Sequence, residues 1–359
     1  MSDIRKKENS WDGLERGIRE GIINLNKPKG MTSHDCVNML RRLTGVKRIG
    51  HTGTLDPNAT GVLPLCIGTS ARIAEYLDLD FKTYRCTMIP GLRTDTQDIW
   101  GTTETDRREE LRQLQREGKG LTEEAVRRAF EPFGGIISQI PPKYSAIRVN
   151  GRRLYQYARE GQDVELKART VYIKDLAVEE IDFEQMKITF SVECSKGTYI
   201  RSICRDAGDA LGFGGCMCEL ERLSSGAFSI GNSVTIDMLR ALCKDDEVVE
   251  QGGKLTFGRA DVEAFNALLT GPEEALLHFG RFFVNEERAA WFVNGGHLAL
   301  NEGRMDAWPE FKEKDFVLPI RDEYRRAYCI FAEKENKFLG VAFYDTSYKK
   351  LVADKVFAR

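Results

Sequence analysis

The stretch GHTGTLDPNATG, residues 50–61, decides how this chain is read. Glycines at 50, 53 and 61, together with Pro57, impose a loop of fixed shape. His51, Thr52, Thr54, Asp56 and Asn58 hang polar groups from that loop. Asp56 before Pro57 also suits an ordinary helix start. Aspartate at the N-cap accepts a backbone N–H, and proline at the next position lacks the donor that would be left over. Thr54 and Asn58 are surplus to a simple cap, however, and loops on rigid scaffolds often hold reactive groups. Helix cap and reactive carboxylate both stand open at this point.

Around the loop the pattern is one of short strands and amphipathic helices. GIINLNKP (21–28) alternates and stops at Pro28, which predicts a strand and then a turn. Ser33 to Leu43 places Val37, Leu40 and Leu43 at helical spacing. Residues 84–90 and 186–194 read as strands. Residues 107–128 form a charged helical stretch with Leu111 and Leu114 as its early apolar marks, expected to be a solvated insertion. LTEEAVRRAFEPFGG (121–135) predicts a helix capped by Thr122, with Ala125, Val126 and Phe130 inside. The acidic residues 242–256 read as a linker. Strand-like runs at 327–332 and 338–344, with a turn at NGGHL (294–298), predict a small β-rich second domain.

Two further clusters bear on chemistry. In SKGTYIRSICRD (195–206), Ser195 to Gly197 makes a turn, and a helix opens near Thr198 with Arg201 close to its start. An arginine there is ordinarily a solvated charge. Its planar fork also fits a carboxylate. Residues 143–159 carry Lys143, Arg148, Arg152, Arg153 and Arg159, interleaved with Tyr144, Tyr155 and Tyr157 and no acid. Residues 27–48 add Lys27, Lys29, Arg41, Arg42, Lys47 and Arg48 against one acid, Asp35. A charge run is usually a solvated face. Cations alternating with stacking rings also suit RNA, whose phosphates need charge and whose splayed bases need aromatic faces.

Composition bounds these readings. The chain has 359 residues, enough for about two domains, with 42% hydrophobic and 30% charged residues. Lys plus Arg is 53 and Asp plus Glu is 55, a net charge of −2, so a nucleic acid must be held by local patches and not by a bulk field. Nine cysteines without a C-x-x-C pair read as buried, reduced thiols. The four histidines make no zinc pattern. The charged beginning of the chain lacks an apolar signal-peptide core, and no run of about 18 apolar residues spans a membrane. A cytoplasmic protein is expected.

These blocks together resemble the TruB-type tRNA pseudouridine synthases, over about residues 21–230. GIINLNKPKGMTSHDCV, GHTGTLDPNATGVLPLCIG and KTYRCTMIPGLRTDTQDIWG are similar to the first three family motifs. PPKYSAIRVNGRRLYQYAREG, SKGTYIRSICRDAG and LERLSSGAF are similar to the next three, in order. The resemblance implies an isomerase that converts the T-loop uridine of tRNA, position 55 in the usual tRNA numbering, to pseudouridine. It implies Asp56 as nucleophile, Tyr84 as the ring stacked on the target base and a possible proton carrier, and Arg201 as ion-pair partner of Asp56. His51 is then implied in flipping the target loop and Leu223 in lining the uracil pocket. Lys27, Arg148, Arg152 and Arg153 are expected to bind substrate. No metal, no cofactor, no guide RNA and no protein partner is implied.

The implied fold is α+β, with a mixed, largely antiparallel central sheet and flanking helices. The expected organisation is an N-terminal extension (1–20), a catalytic domain (21–255) with an RNA-binding insertion at about 141–165, and a small β-rich, PUA-like C-terminal domain (275–359). That last region is expected to assist binding, so that its removal mainly raises KM. Two other classes stay open: an RNA-binding or tRNA-folding protein without catalysis, and a hydrolase using His51 and Asp56. A synthase acting on another RNA is an alternative within the same chemistry.

Overall fold

A computed structural model describes residues 13–357 apart from 16, 244–248, 252–253, 257–258 and 312–319. Most of the proposed N-terminal extension and parts of the proposed 242–256 linker lie outside the described residues. The chain divides into two compact units. The first comprises residues 1–57, 61–80 and 224–359, the second residues 58–60 and 81–223.

In the first unit, β1 (Gly21–Lys27) is followed by α1 (Ser33–Thr44), β2 (Ile49–His51), β3 (Thr60–Ile67) and the short α2 (Ala74–Leu77). Both β1 and β2 pair antiparallel with β3. Thr32 caps α1 in a capping box with Asp35, and Gly45 closes it in the left-handed conformation, φ 75°. The cap falls one residue before the helix start expected from sequence.

The second unit is built on a sheet with the order β12–β4–β11–β10–β7. In chain order it contains β4 (Lys82–Pro90), the β5 (Leu92–Thr94) and β6 (Thr103–Asp106) pair, α3 (Arg108–Arg116), α4 (Glu123–Phe130) and β7 (Gly135–Gln139). The hairpin of β8 (Arg148–Val149) and β9 (Arg152–Arg153), α5 (Leu154–Arg159), β10 (Arg169–Asp182), β11 (Lys187–Cys194), α6 (Ile200–Ala210) and β12 (Gly215–Ser225) follow. The β4–β11, β11–β10 and β10–β7 pairs are antiparallel. Residues on β11 alternate between half-buried and buried, the period of two that marks a strand packed on one face. Helices α4 and α6 supply the packing, with Phe130 and Phe190 ring centroids 5.0 Å apart. The charged 107–128 stretch is not only solvated: Leu111 and Val126 are fully buried. Arg107 donates to the Gly212 carbonyl at the end of α6 (2.8 Å), and its guanidinium lies over the Phe213 ring. Ala125, expected inside, is only half-buried.

The rest of the first unit contains β13 (Phe228–Ser229), α7 (Ile236–Ala241), the β14 (Val249–Gln251) and β15 (Lys254–Thr256) pair, α8 (Val262–Asn266) and α9 (Pro272–Ala275). Part of the acidic 242–256 stretch is therefore paired strand and not linker. Then come β16 (Gly280–Val284), α10 (Glu286–Val293), β17 (Leu298–Ala299), β18 (Gly303–Ala307), β19 (Ala327–Ala332), β20 (Lys337–Asp345) and β21 (Lys350–Val356). They form a six-stranded sheet, β17–β21–β20–β19–β16–β18, in which β16 and β19 run parallel. The architecture is α+β.

This C-terminal sheet is not an appendage. Phe279, Phe283, Phe331 and Val341 share one buried core with Ile22, Val62, Cys66 and Tyr76. Arg72 on the first segment donates to the Val356 carbonyl (2.9 Å), and Lys355 pairs with Glu75 (3.2 Å). The expectation that residues 275–359 can be removed at the expense of KM alone is corrected here. A chain ending at 274 exposes the apolar surface of β1, β3 and α2, and each large side chain that loses its packing costs on the order of 2 kcal/mol. That truncation is expected to lose its near-UV circular dichroism and its cooperative thermal transition. A soluble, cooperatively folding 1–274 chain would contradict the shared core.

All nine cysteines are free and buried. The Sγ atoms of Cys86 and Cys204 approach to 3.5 Å as a thiol–thiol contact. Burial pushes the Cys66, Cys194 and Cys216 thiols up to about 12, far from the thiolate form that reacts. Iodoacetamide at pH 8 is expected to label fewer than about one thiol per folded chain within an hour and all nine in denaturant. Rapid labelling of several thiols in the folded protein would contradict the buried arrangement.

Candidate active site

The first unit presents Asp56. No helix begins there: residues 57–58 form a turn, and the next element is strand β3. The N-cap reading of Asp56 is thereby removed, and its half-buried side chain belongs to a loop. That loop is braced on both sides of the aspartate. Ser33 Oγ accepts from the Leu55 amide (2.9 Å) and donates to the Leu55 carbonyl (3.1 Å). The Gly30 amide donates to the Pro57 carbonyl (2.9 Å). Lys27 Nζ donates to the same carbonyl (3.0 Å) and to the carbonyls of Pro28 (3.0 Å) and Met31 (2.6 Å).

Lys27 was expected to bind substrate. The structure corrects this, because the residue is 0% exposed and its ammonium is turned inward onto backbone carbonyls. A buried ammonium persists only where hydrogen bonds replace its water. Lys27 is a positioning residue that ties the end of β1 to the Asp56 loop. His51 lies half-buried on β2 opposite Leu65. The Thr52 amide bonds to the Pro64 carbonyl (3.1 Å), and Gly53 takes φ 66°, which turns the chain out of β2 into the loop.

The second unit carries Tyr84, Arg201 and Leu223. Tyr84 is 8% exposed, opposite Val192 of β11 and on the buried row of β4 with Cys86 and Met88. Leu223 is half-buried on β12. Arg201 occupies the first turn of α6 and is 6% exposed, so the solvated-charge reading fails. A cation at a helix N-terminus opposes the helix dipole, and no acid stands in the first turn of α6 to offset it. The compensation comes from elsewhere. Nη1 donates to the Thr96 carbonyl (2.9 Å) and Nη2 to the Tyr144 carbonyl (3.0 Å), and Asp98 Oδ2 lies 3.8 Å from Nη1.

The start of α6 is itself fixed. Gln139 at the end of β7 accepts from the Tyr199 amide (2.8 Å) and donates to the Tyr199 carbonyl (3.0 Å). Ser202 Oγ donates to the Ile140 carbonyl (2.9 Å). Asp98 and Gln139 escaped the sequence reading. TDTQD at 94–98 offered several carboxylates and amides with no periodicity to rank them.

The basic arm of the second unit also takes definite form. Asn150 (φ 49°) and Gly151 (φ 82°) both adopt the left-handed conformation, which makes the two-residue turn joining β8 and β9. The Asn-Gly pair was the sequence signal for this hairpin. Arg148 and Arg153 stand directly opposite each other across it. Like charges so placed repel, and among the described residues neither has an acidic partner. Arg152 instead lies beside Glu160 and over the Tyr157 ring. Lys143 pairs with Asp163 (2.8 Å), and Arg159 lies over the Tyr155 ring. Among the described residues no group of three or more His, Cys, Asp or Glu is arranged to hold a metal ion. No helix among them is long and apolar enough to cross a membrane.

A braced carboxylate loop, a buried arginine set against carbonyls and a cationic hairpin define the kind of protein the comparisons then specify. Residues 41–200 match the TruB family pseudouridylate synthase N-terminal domain, and residues 201–276 match the tRNA pseudouridylate synthase B C-terminal domain. A protein of Alkaliphilus oremlandii named tRNA pseudouridine synthase B is 45% identical over 321 residues, 89% of this chain and 92% of that one. A protein of Geobacillus thermodenitrificans with the same name is 38% identical, covering 78% of this chain and 86% of its own. The chain belongs to the TruB family of pseudouridine synthases.

Among solved structures, that of an H/ACA RNP bound to a substrate RNA containing 2′-deoxyuridine aligns with TM-score 0.65. It covers 96% of this chain and 87% of its own at 22% identity, a likeness of fold alone. A Cbf5–Nop10–Gar1 complex aligns with TM-score 0.64 at 24% identity, again a likeness of fold.

Proposed function

We propose that this chain isomerises uridine to pseudouridine in tRNA, at position 55 of the T-loop. Family membership carries this reading, together with the braced turn that presents Asp56. The reaction breaks the N1–C1′ bond, turns the uracil while it stays bound and joins C1′ to C5. A proton leaves C5 and N1 ends protonated, so no electrons are gained or lost. Asp56 is the nucleophile, splitting one hard step into two easier ones. Arg201 pairs with it and favours the ionised form. Tyr84 stacks on the flipped base, and Leu223 keeps water from the opened bond. His51 offsets the few kcal/mol of unstacking that a flipped nucleotide costs.

Arg148, Arg152 and Arg153 hold phosphates of the T-stem-loop, and residues 275–359 act as a PUA-like holder of the same RNA. The domain extending from 21 to 255 carries the chemistry. The enzyme works in the cytoplasm without metal, cofactor, guide RNA or protein partner.

The test is incubation with unmodified tRNA after exhaustive EDTA dialysis, followed by chemical mapping of pseudouridine. One modified T-loop position is expected, without strand scission or free uracil. Tight tRNA binding with no isomer formed would leave a binding protein. Released uracil would indicate a hydrolase.

A further inference from the structure

The geometry points to Trp100 as a stacking platform for a nucleobase of the substrate RNA next to the target uridine. This rests on the tRNA reading above and deepens it. Trp100 is 40% exposed, although a large indole gains most by burial. It is held there by a loop with little freedom. Asp98 Oδ1 accepts from the Trp100 amide (3.1 Å) and from Thr96 Oγ1 (2.7 Å), and the Asp98 carbonyl accepts from Thr94 Oγ1 (2.6 Å). The Ile99 amide donates to the Met217 carbonyl (2.9 Å), and the Met217 amide to the Gln97 carbonyl (3.0 Å). Asp95 and Thr102 bond across the base of the loop.

This loop also touches both of the other RNA-directed features of the second unit. Thr96 supplies the carbonyl that receives Arg201, and Asp95 receives the Tyr144 hydroxyl at 3.4 Å. Tyr144 in turn opens the basic stretch at 143–159. The indole thus sits four residues from an acceptor of Arg201, on a frame shared with the cationic arm. A solvent-facing ring needs no such bracing for packing. A ring that must meet a flat partner does, because a preformed platform loses little entropy on binding. The partner that matches a rigid exposed indole beside cations is a base, and stacking tolerates any base because each has a π-face.

The experiment compares wild type, Trp100→Ala and Trp100→Phe with unmodified tRNA. Trp100→Ala is expected to raise Kd between about 5- and 150-fold, the range of base–aromatic stacking. Trp100→Phe should stay within about threefold of wild type, since a benzene ring still stacks. tRNA should quench indole emission in wild type more than in Trp100→Phe, the difference being the contribution of residue 100. Unchanged affinity in Trp100→Ala overturns the proposal. So does equal loss in both variants, or quenching that is the same with and without Trp100. Pseudouridine formation by wild type is measured on the same preparations. Active wild type with unaffected Trp100→Ala refutes only the stacking role, whereas wild type that binds no tRNA refutes both readings.

Discussion

Asp56→Asn is expected to lower single-turnover pseudouridine formation by at least about 1,000-fold, roughly 4 kcal/mol of barrier, while tRNA affinity stays within a fewfold of wild type. Asparagine keeps the size and shape of aspartate but lacks a nucleophilic oxygen. The turn should survive, because its braces act on the backbone at either side. Ser33 holds Leu55, and Gly30 and Lys27 hold the Pro57 carbonyl. No other carboxylate occurs in residues 50–61 to take over. Were Asp56 an N-cap, asparagine would serve about equally well and activity would persist. The turn and strand that follow it remove that alternative from the structure, and the variant tests it in the reaction. Near-normal turnover would refute nucleophilic catalysis by Asp56.

Local periodicity made the framework legible. β1, β11 and α4 fall where alternation and capping placed them, because their burial pattern is written in adjacent residues. Long-range partners decided what the sequence left open. Lys27 looks like one more surface cation until three backbone carbonyls close around it. Arg201 looks solvated for the same reason, since its acceptors lie 57 and 105 residues away. The attachment of the C-terminal sheet was illegible too. A shared core leaves no mark in either segment beyond apolar residues that each could have buried alone. The Asn150-Gly151 turn is the opposite case, a local signal present in the sequence and passed over.

Arg201 gives the second large effect, and lysine is the informative replacement. Two nitrogens of one rigid fork serve two carbonyls, of Thr96 and Tyr144, with Asp98 beside them. A lysine ammonium keeps the charge but has one nitrogen, which cannot occupy both positions. At least one buried carbonyl then goes unpaired, at about 1–3 kcal/mol. Arg201→Ala removes the charge as well and leaves Asp98 without this cation, so its cost is expected to be larger, about 3–5 kcal/mol. If Arg201 aligns and ionises Asp56, both variants should lose at least about 100-fold in single-turnover rate, with tRNA Kd changed less than tenfold. The rates are to be read well below each variant's thermal transition, with near-UV circular dichroism showing native packing. If instead Arg201 only fastens α6 to the 94–102 loop, Arg201→Lys should show its whole effect as a lower Tm and turn over nearly as wild type once folded. A destabilised but fully active Arg201→Lys enzyme would therefore separate the arginine from the chemistry.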